Sequence, residues 1–431
     1  MRNPISVRRT NAKLEEGRDT VRDRHISLPW QFFVLALGTL VLSLGSCHHG
    51  TGPVSSVAWG DSLVFDIGFP VSDHRSGVCQ SFDLGDSSEY LYFADVLTNK
   101  KIAIFSSQGK LLHTVPLNAA IDSLGKITGV AILHPDTIVL CGAHTNKVAI
   151  IDQSGRCRQV IHLTEALHRP DGLAYELWPS FFSPFVLGDR ACLHISLLAN
   201  SIGSYRGKGA PYGDDLYRYT WLDRNGPHFV SFDLNSIADN LHLDWGPTEP
   251  HKDTLNDIAF VQRLGSFACI NGHWFEFTIN SPVIRILDPV RMTPVREFQV
   301  SSAIGPVYRE PFMIPKDGLE AFQDSVDDRQ YSGGFIETIH FDQRLHRYLV
   351  VLRHRRVKAV IDGKEKWKGG YTLQQYDADF NFIKETAFTD GKYRMPMMLC
   401  LAGGTYVMRA ENKREGMRGI HVFDRILLDG K

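Results

Sequence analysis

Aromatic and basic residues alternate with glycine in one polar stretch, residues 201–221, which reads SIGSYRGKGAPYGDDLYRYTW. Aromatic rings stack on apolar surfaces such as sugar faces, and guanidinium and ammonium groups bind anions, so this composition suits a glycan or an anionic group. The first candidate ligand-binding residues are therefore Tyr205, Arg206, Lys208 and Tyr212. The alternative interpretation is a long polar loop whose aromatic residues simply pack against the protein.

A second stretch, residues 353–371, is densely basic and reads RHRRVKAVIDGKEKWKGGY, beginning with the candidate residue Arg353. A basic cluster on one face of a protein can concentrate anionic partners such as lipid head groups or acidic glycans. The simpler hypothesis is that this stretch only neutralises an acidic cluster that precedes it in the sequence, which contains Glu320, Asp324, Asp327 and Asp328.

Familiar catalytic motifs are missing from the sequence. It contains no GxSxG elbow, HExxH motif, Walker A loop or Rossmann glycine pattern in a context that would support it. His340, His346 and His354 are the nearest approach to a set of metal ligands, but single histidines on or beside strands are usually structural. The sequence therefore predicts no catalytic residue, no metal and no cofactor.

Short strand-and-turn units recur along the chain. Residues 102–110, IAIFSSQGK, are nearly repeated by residues 148–156, VAIIDQSGR. Each copy is a strand closed by Ser or Asp, followed by a tight turn in which Gly supplies positive φ. Four further strands end in Asp in the same way, at residues 229–233, 283–288, 372–377 and 420–424. Repeats of roughly 40 to 50 residues made only of short strands are typical of β-propeller blades.

The two ends of the chain predict how such a propeller closes. The six copies predict six blades, with seven as the alternative because residues 62–70, SLVFDIGFP, form one further copy. That copy has too few residues before it to build a blade, and the last blade is short of material, so we expect the N-terminal strand to complete the C-terminal blade. Closure also removes exposed edge strands. A short helix is expected only around residues 317–328.

Two further arginines are candidates for ligand binding because of their positions in the predicted propeller. Arg309 and Arg409 each lie near a predicted strand end. In a propeller such positions come close to the mouth of the central channel, where loops carry function while the strands hold them in place. We therefore expect both side chains to contribute to a ring of cations around the channel.

The first 46 residues predict export. An Arg-bearing leader precedes an uncharged apolar run, residues 28–45, which is the layout of a secretory signal peptide. The run is close to the ~18-residue minimum for a membrane span, so a spanning helix is the alternative, and the small residues at its end favour cleavage. The sequence then divides into a signal peptide with its leader at 1–46, a linker at 47–61 and a propeller at 62–431.

The sequence Leu44-Gly45-Ser46-Cys47 resembles the bacterial lipobox, in which the cysteine is lipidated and becomes the new N-terminus. With the tandem strand-turn units and the N-terminal strand, it resembles the TolB-like six-bladed propeller lipoproteins of the Bacteroidetes, a group that includes a domain-of-unknown-function family. The resemblance implies a propeller in the cell envelope and no established activity. The absence of Asp after Cys47 resembles the rule for an outer-membrane anchor, with the body facing the periplasm and surface exposure left open.

The charge balance limits the classes of partner that the protein is expected to bind. The leader holds 7 of the 47 Lys and Arg and 4 of the 48 Asp and Glu, which leaves 40 basic and 44 acidic residues and a formal charge of −4. Such a mildly acidic body has no electrostatic reason to bind nucleic acid. The leading expectation is a non-enzymatic binding or scaffold module for a protein, peptide or glycan. A propeller hydrolase or lactonase-like enzyme with a channel metal is the alternative, and a purely structural role is the third.

Overall fold

The structure of the protein is a computed structural model. It describes residues 58–69, 77–83, 89–96, 99–125, 127–134, 136–142, 145–168, 175–187, 190–199, 229–234, 243–245, 265–278, 281–288, 293–307, 333–355, 357–361, 364–388, 391–410 and 419–428. Cys47, Arg309, the four candidates between Tyr205 and Tyr212, and the helix expected around 317–328 lie outside these residues.

The described residues are almost entirely β-strands, as the short alternating and β-branched runs of the sequence predict. The strands are β1 Ala58–Asp66, β2 Gly77–Asp83, β3 Glu89–Asp95, β4 Lys101–Ser106, β5 Leu111–Pro116, β6 Ile127–His134, β7 Thr137–Gly142, β8 Lys147–Ile151, β9 Cys157–His162, β10 Tyr175–Leu187, β11 Arg190–Ala199, β12 Phe229–Asp233, β13 Asp244–Trp245, β14 Gly265–Ile270, β15 His273–Thr278, β16 Val283–Leu287, β17 Pro294–Gln299, β18 Phe335–Asp342, β19 Arg347–Arg353, β20 Val357–Ile361, β21 Lys364–Lys368, β22 Tyr371–Tyr376, β23 Phe382–Phe388, β24 Tyr393–Leu401, β25 Gly404–Arg409 and β26 Ile420–Leu427. The short helix α1, Asn118–Leu124, was not predicted. No helix in the described part of the chain has the length and apolar character needed to span a membrane.

Six four-stranded antiparallel sheets follow one another along the described residues. Sheet 1 is β2–β5, sheet 2 is β6–β9, sheet 3 is β10–β13 and sheet 4 is β14–β17. Sheet 5 contains β18, β19, β22 and β23, and sheet 6 contains β24, β25, β26 and β1. The first strands of consecutive sheets contact one another, from β2 through β6, β10, β14, β18 and β24 and back to β2. The protein is an all-β propeller, as the sequence predicts.

The N-terminal strand completes the last sheet, as expected from the two short ends of the chain. β1 pairs antiparallel with β26, and the pairs run from Ala58 with Leu427 to Asp66 with Ile420. The strand begins at Ala58, so the last residues of the linker predicted at 47–61 already belong to the sheet. Residues 62–66 of the predicted copy therefore belong to an outer strand of sheet 6.

All six predicted strand copies occupy the same place in the fold. The strands β4, β8, β12, β16, β22 and β26 are each the third strand of their sheet. The third strand lies between two others, and its sheet is packed between two neighbouring sheets, so most of its described residues are buried. That position suits short runs rich in apolar residues, although β22 also buries Thr372, Gln374 and Gln375.

The hydrophobic core lies between the sheets. One cluster joins sheets 1 and 2, another joins sheets 2 and 3, and others lie between sheets 4 and 5, 5 and 6, and 6 and 1. Phe65 of β1 is fully buried and contacts the rings of Phe93, Phe105 and Phe423. The closing strand is therefore held by aromatic packing against sheet 1 as well as by its hydrogen bonds to β26.

The two faces of the propeller carry different connections. In a propeller the first strand of every sheet runs in the same direction. The connections from the second to the third strand of a sheet, and from its fourth strand to the next sheet, therefore all emerge at one face, which we call the insertion face. The other face, the turn face, carries the first-to-second and third-to-fourth connections. The longest connections, residues 200–228, 246–264, 300–334 and 354–370, all belong to the insertion face, whereas the longest on the turn face is 234–243.

Candidate binding surface

A two-stranded hairpin stands apart from the six sheets. β20 and β21 pair with each other and form the basic hairpin, residues 357–368, between the second and third strands of sheet 5. The backbone register pairs Val357 with Lys368, Ala359 with Lys366 and Ile361 with Lys364. Val360 of β20 is 73% exposed.

The charge of this insertion differs from that of the whole chain. Residues 353–371 contain seven Lys and Arg against two Asp and Glu, while the complete chain has a formal charge of −1. A concentration of one sign on a single insertion creates a local positive potential that attracts anionic groups. The hairpin is therefore a candidate surface for a negatively charged partner.

Arg353 holds the base of the basic hairpin. It is the last residue of β19 and pairs in register with Phe335 on one side and Tyr371 on the other. Its guanidinium carbon lies 5.7 Å from each of those two ring centroids, and Nη1 lies 3.3 Å from Oε2 of Glu337. Burial raises the pKa of Tyr371, although the adjacent Arg353 acts in the opposite direction. Arg353 is thus a structural clamp between two aromatic rings.

Buried polar contacts beside Arg353 also hold the base of the insertion in sheet 5. The backbone N–H of His354 donates to the carbonyl of Gly370 at 3.0 Å, which closes the base of the insertion. His354 Nε2 is hydrogen-bonded to the hydroxyl of Thr372, and both residues are buried. Burial lowers the pKa of His354, and the carboxylate of Glu385 opposes that shift. The strands that carry the hairpin therefore leave the sheet from a fixed position.

Arg409 forms an ion pair in the adjacent sheet 6. Its Nη2 lies 2.6 Å from Oδ1 of Asp424 and its Nε lies 3.0 Å from Oδ2, so the pair is bidentate. The hydroxyls of Ser62 and Tyr393 also donate to Asp424, at 2.7 and 3.0 Å. The ring of Trp59 stacks on Tyr393 with centroids 4.0 Å apart. This arrangement joins β1, β24, β25 and β26, and Arg409 is therefore part of the closure of the ring.

The environment of Asp424 favours its charged form. Burial alone raises the pKa of this carboxyl, but hydrogen bonds from Arg409, Ser62 and Tyr393 lower it, and the net pKa is below the usual range. The Asp424 side chain is 7% exposed and the Arg409 side chain 46% exposed. A carboxylate with this much hydrogen-bonding capacity already satisfied anchors the protein more readily than it binds a ligand.

The two candidate arginines that the structure describes lie in adjacent sheets. Arg353 ends the second strand of sheet 5 and Arg409 ends the second strand of sheet 6, so both lie where those strands reach the insertion face. Each is paired with a carboxylate of its own sheet, Glu337 or Asp424. Their binding of a ligand stays a prediction, and the structure gives both of them a positioning contact that the sequence did not indicate.

The other predicted candidates are described only by the strands that flank them. The connection that contains Tyr205, Arg206, Lys208 and Tyr212 joins β11 to β12, and the one that contains Arg309 joins β17 to β18. By topology both connections belong to the insertion face, as do Arg353 and the basic hairpin. The separate sequence candidates are therefore all carried by, or lie beside, connections of one face.

Histidine residues considered as metal ligands are dispersed over sheet 5. His340 lies in β18, His346 follows that strand at the turn face, and His354 follows β19 at the insertion face. Burial lowers the pKa of His340 to about 4. Among the residues that the structure describes, no three His, Cys, Asp or Glu side chains are grouped as metal ligands.

Comparisons with known proteins identify the fold. No protein-family model and no curated protein matches the sequence. A member of the DUF4221 family from Bacteroides vulgatus has a similar structure, with a TM-score of 0.59 and 15% identity over 86% of this chain and 97% of that chain. A Bacteroides fragilis protein inferred to be exported has a TM-score of 0.45 and 10% identity over 88% and 98% of the two chains. At these identities the likeness shows the propeller fold alone.

Proposed function

We propose that this chain is an exported envelope lipoprotein whose six sheets form a six-bladed propeller that binds a protein, peptide or glycan partner at its insertion face. The observation that carries the proposal is the placement of all the longest connections, including the basic hairpin, at that one face. Propeller sheets hold loops in fixed positions, and sites built on such loops account for most propeller function.

The chemistry of the insertion face supports binding. Half-buried aromatic rings at Phe335 and Tyr371 flank a guanidinium, and the adjacent insertion carries an excess of basic side chains. Rings and cations at fixed positions recognise ligands through stacking and charge without a reactive group. The glycine, tyrosine and arginine composition of residues 201–221 suits the same kind of ligand.

The envelope part of the proposal rests on the N-terminal sequence. An apolar run followed by Leu44-Gly45-Ser46-Cys47 supports signal-peptide cleavage and lipidation at Cys47, with an outer-membrane anchor and the propeller in the periplasm. Cys47→Ala tests the anchor: incorporation of labelled fatty acid and recovery in the membrane fraction should both be lost. Membrane recovery and labelling that persist in the Cys47→Ala chain would contradict it.

Site-specific photocrosslinking in cells tests binding at the insertion face. A photoreactive phenylalanine analogue at Val360, 73% exposed in the basic hairpin, should give one discrete adduct, identified by mass spectrometry. The matched control is Val295, which is 63% exposed in the outer strand of sheet 4. Identical adducts from both positions, or none from a series of exposed insertion-face positions, would overturn the proposed function.

A further inference from the structure

One row of side chains crosses sheet 5 where its strands reach the insertion face. Backbone pairing places Arg353 between Phe335 and Tyr371, and Phe388 lies on the other side of Tyr371. Opposite residues of antiparallel strands lie on the same side of a sheet, about 5 Å apart. Tyr371 and Phe388 pack in the hydrophobic cluster between sheets 5 and 6, so the row faces sheet 6. A cation therefore lies between aromatic rings along one line.

Sheet 6 faces this row with a ring and two further cations. The ring centroid of Tyr393 lies 6.5 Å from that of Phe388, and Nζ of Lys392 lies 5.3 Å from the Tyr393 centroid. Burial raises the pKa of Tyr371, and the charge of Arg394 opposes that shift, so Arg394 lies near Tyr371 from the other sheet. We call this set the aromatic–cation seam, and it contains Phe335, Arg353, Tyr371, Lys392, Tyr393 and Arg394.

The cations of the aromatic–cation seam are accessible to solvent. Lys392 is exposed, Arg394 is partly exposed, and the Arg353 side chain is 22% exposed. Arg353 contacts Glu337 through Nη1, and a guanidinium has five N–H donors, so it has the capacity for a second acceptor. Glu337 offsets the charge of Arg353, and Lys392 and Arg394 bring two more positive charges. The seam therefore combines half-buried rings with solvent-accessible cations.

We propose that the aromatic–cation seam binds an acidic glycan, a chain of uronic acid residues whose carboxylates contact the cations and whose sugar faces lie on the aromatic rings. The inference rests on the proposed function, since it names the ligand class for the insertion face. Guanidinium and ammonium groups bind carboxylates through charge-assisted hydrogen bonds, and aromatic rings provide flat apolar surfaces for stacking. A uronic acid carries its carboxylate beside its ring, as the seam carries its cations beside its rings.

The position of the seam favours a glycan over an acidic peptide. Arg353 and Tyr371 belong to β19 and β22, and each of these strands is paired on both sides within sheet 5. An extended peptide gains affinity chiefly by adding a strand to the edge of a sheet, and these two strands present no edge. The contact of Arg353 with both neighbouring rings also fixes its guanidinium before a ligand arrives, which lowers the ordering cost of binding.

Binding of defined tetrasaccharides tests the inference. The probes are uronic acid tetrasaccharides from polygalacturonate, alginate, hyaluronan and unsulfated chondroitin, and the readout is isothermal titration calorimetry with the full chain at about 150 mM salt. We expect saturable binding of at least one of them, roughly tenfold weaker in the Lys392→Gln, Arg394→Gln chain. The matched control is Lys110→Gln, Arg344→Gln, two exposed basic residues in connections of the turn face, which should leave the affinity unchanged.

Three further arms separate recognition of a sugar acid from simple charge attraction. The methyl-esterified tetrasaccharide keeps the sugar faces without the charges, and tetraglutamate keeps the charges without the sugar faces, so both should bind roughly tenfold more weakly. Tyr371→Leu keeps an apolar side chain in the core between sheets 5 and 6 but removes the ring, and it should weaken binding several-fold while the chain still unfolds cooperatively in urea. Equal affinity for tetraglutamate would overturn the inference.

Failure of this inference differs from failure of the proposed function. Absence of binding to all four tetrasaccharides overturns the acidic glycan, and so does an equal loss of affinity in the Lys392→Gln, Arg394→Gln chain and in its control. A discrete crosslinked partner at Val360 would then leave the proposed function standing, because that function requires a partner at the insertion face and not a sugar acid.

Discussion

The turn face and the insertion face of the propeller differ in what their connections add to the sheets. Connections on both faces bond neighbouring sheets together: on the turn face the N–H of Ala402 donates to the carboxylate of Glu89 at 2.8 Å, and on the insertion face Oδ1 of Asn146 accepts a hydrogen bond from the N–H of Leu177 at 2.9 Å. The insertion face also has the longest connections between described strands, and one of them adds a separate hairpin. Both faces therefore help to build the ring, and the insertion face carries additional structure.

On the turn face, the turns between the third and fourth strands of a sheet form hydrogen bonds with the preceding sheet. The turn after β8 lies against β5 of the preceding sheet, where His113 Nε2 donates to the carbonyl of Gln153 at 2.6 Å. The turn after β22 lies against β17 in the same way, with Arg296 Nη2 donating to the carbonyl of Asp379 at 2.6 Å. These two turns therefore make the same kind of contact between neighbouring sheets, although their sequences share only the Asp that begins each turn.

The largest loss of stability should appear when a methyl group is added to a turn glycine that touches a neighbouring sheet. Gly155 has φ of +80°, and a Cβ there would lie 2.1 Å from the backbone oxygen of Pro116. Gly391, on an insertion-face connection, has φ of +67°, and a Cβ there meets no atom within 4 Å. We expect Gly155→Ala to lower the free energy of unfolding by about 4 kcal/mol and Gly391→Ala by about 1 kcal/mol.

Urea unfolding of the two variants measures that difference. Because both glycines have positive φ, Gly391→Ala reports the cost of the backbone conformation, and the excess in Gly155→Ala reports the contact between sheets 1 and 2. Equal losses in the two variants would mean that the close approach of Gly155 to Pro116 adds nothing to the cost of the backbone conformation.

The ion pair between Arg409 and Asp424, which helps to close the ring, should give the next largest loss of stability. Asp424 is 5% exposed and accepts hydrogen bonds from Arg409, Ser62 and Tyr393, so Asp424→Ala leaves several donors without this acceptor. We expect a loss of about 3 kcal/mol at pH 7, the lower end for breaking a buried pair because Arg409 is partly exposed. Unfolding in urea at pH 7 measures it, with Asp61→Ala, whose carboxylate is 62% exposed beside Arg425, as the control.

The pH dependence of that loss follows from the lowered pKa of Asp424. The folded carboxyl has a pKa below its unfolded value, so its contribution is complete above the unfolded pKa and disappears as the pH falls through the folded pKa. The difference between the natural chain and Asp424→Ala should therefore shrink below about pH 4. A difference that stays constant down to pH 2.5 would show that charge pairing is not what Asp424 contributes.

Much of the fold is predictable from the sequence because its units repeat. Most described residues of the third strands are buried, so several of these strands and the turns after them are visible without a structure, and the shortage of residues at both ends predicts the pairing of β1 with β26. The helix α1 was missed, because its seven residues are too few for a helical period and are held by packing of Ala120 and Leu124 into the core between sheets 1 and 2.

The candidate surface is less predictable, because it depends on which side chains meet. The sequence singles out Arg353 and Arg409 by their position near strand ends, but Glu337 gives no signal of its own, and Asp424 is visible only as the Asp that ends a strand copy and not as the partner of Arg409. The charge of residues 353–371 is visible in the sequence, whereas the pairing of residues 357–361 with 364–368 in a separate hairpin is not.

A buried histidine near the insertion face should make stability depend on pH. His421 is fully buried, its ring stacks on Phe93, and burial followed by the charge of Arg394 lowers its pKa to about 4. The unfolded side chain takes up a proton near pH 6.5 while the folded one does not, so stability is complete above pH 6.5 and falls between pH 6.5 and 4. We expect this residue to account for a loss of about 2 kcal/mol at pH 5.

His421→Phe measures that contribution, because it retains a ring against Phe93 and removes the titration. The comparison uses the change in unfolding free energy between pH 8 and pH 5 within each chain, which cancels any difference in packing. His340 also has a pKa of about 4 and should supply a slope that both chains share. An unchanged slope in His421→Phe would exclude His421 as the source.

The smallest effect is local and concerns the clamp at the base of the basic hairpin. Arg353→Met keeps a long side chain between Phe335 and Tyr371 but removes the guanidinium and its ion pair with Glu337. Because that pair is partly exposed, we expect only about 1 kcal/mol of global stability to be lost. Amide hydrogen exchange should quicken in residues 357–368 and stay unchanged in the turns after β4 and β8. Uniform quickening on both faces would show that Arg353 stabilises the whole ring and not only the base of the hairpin.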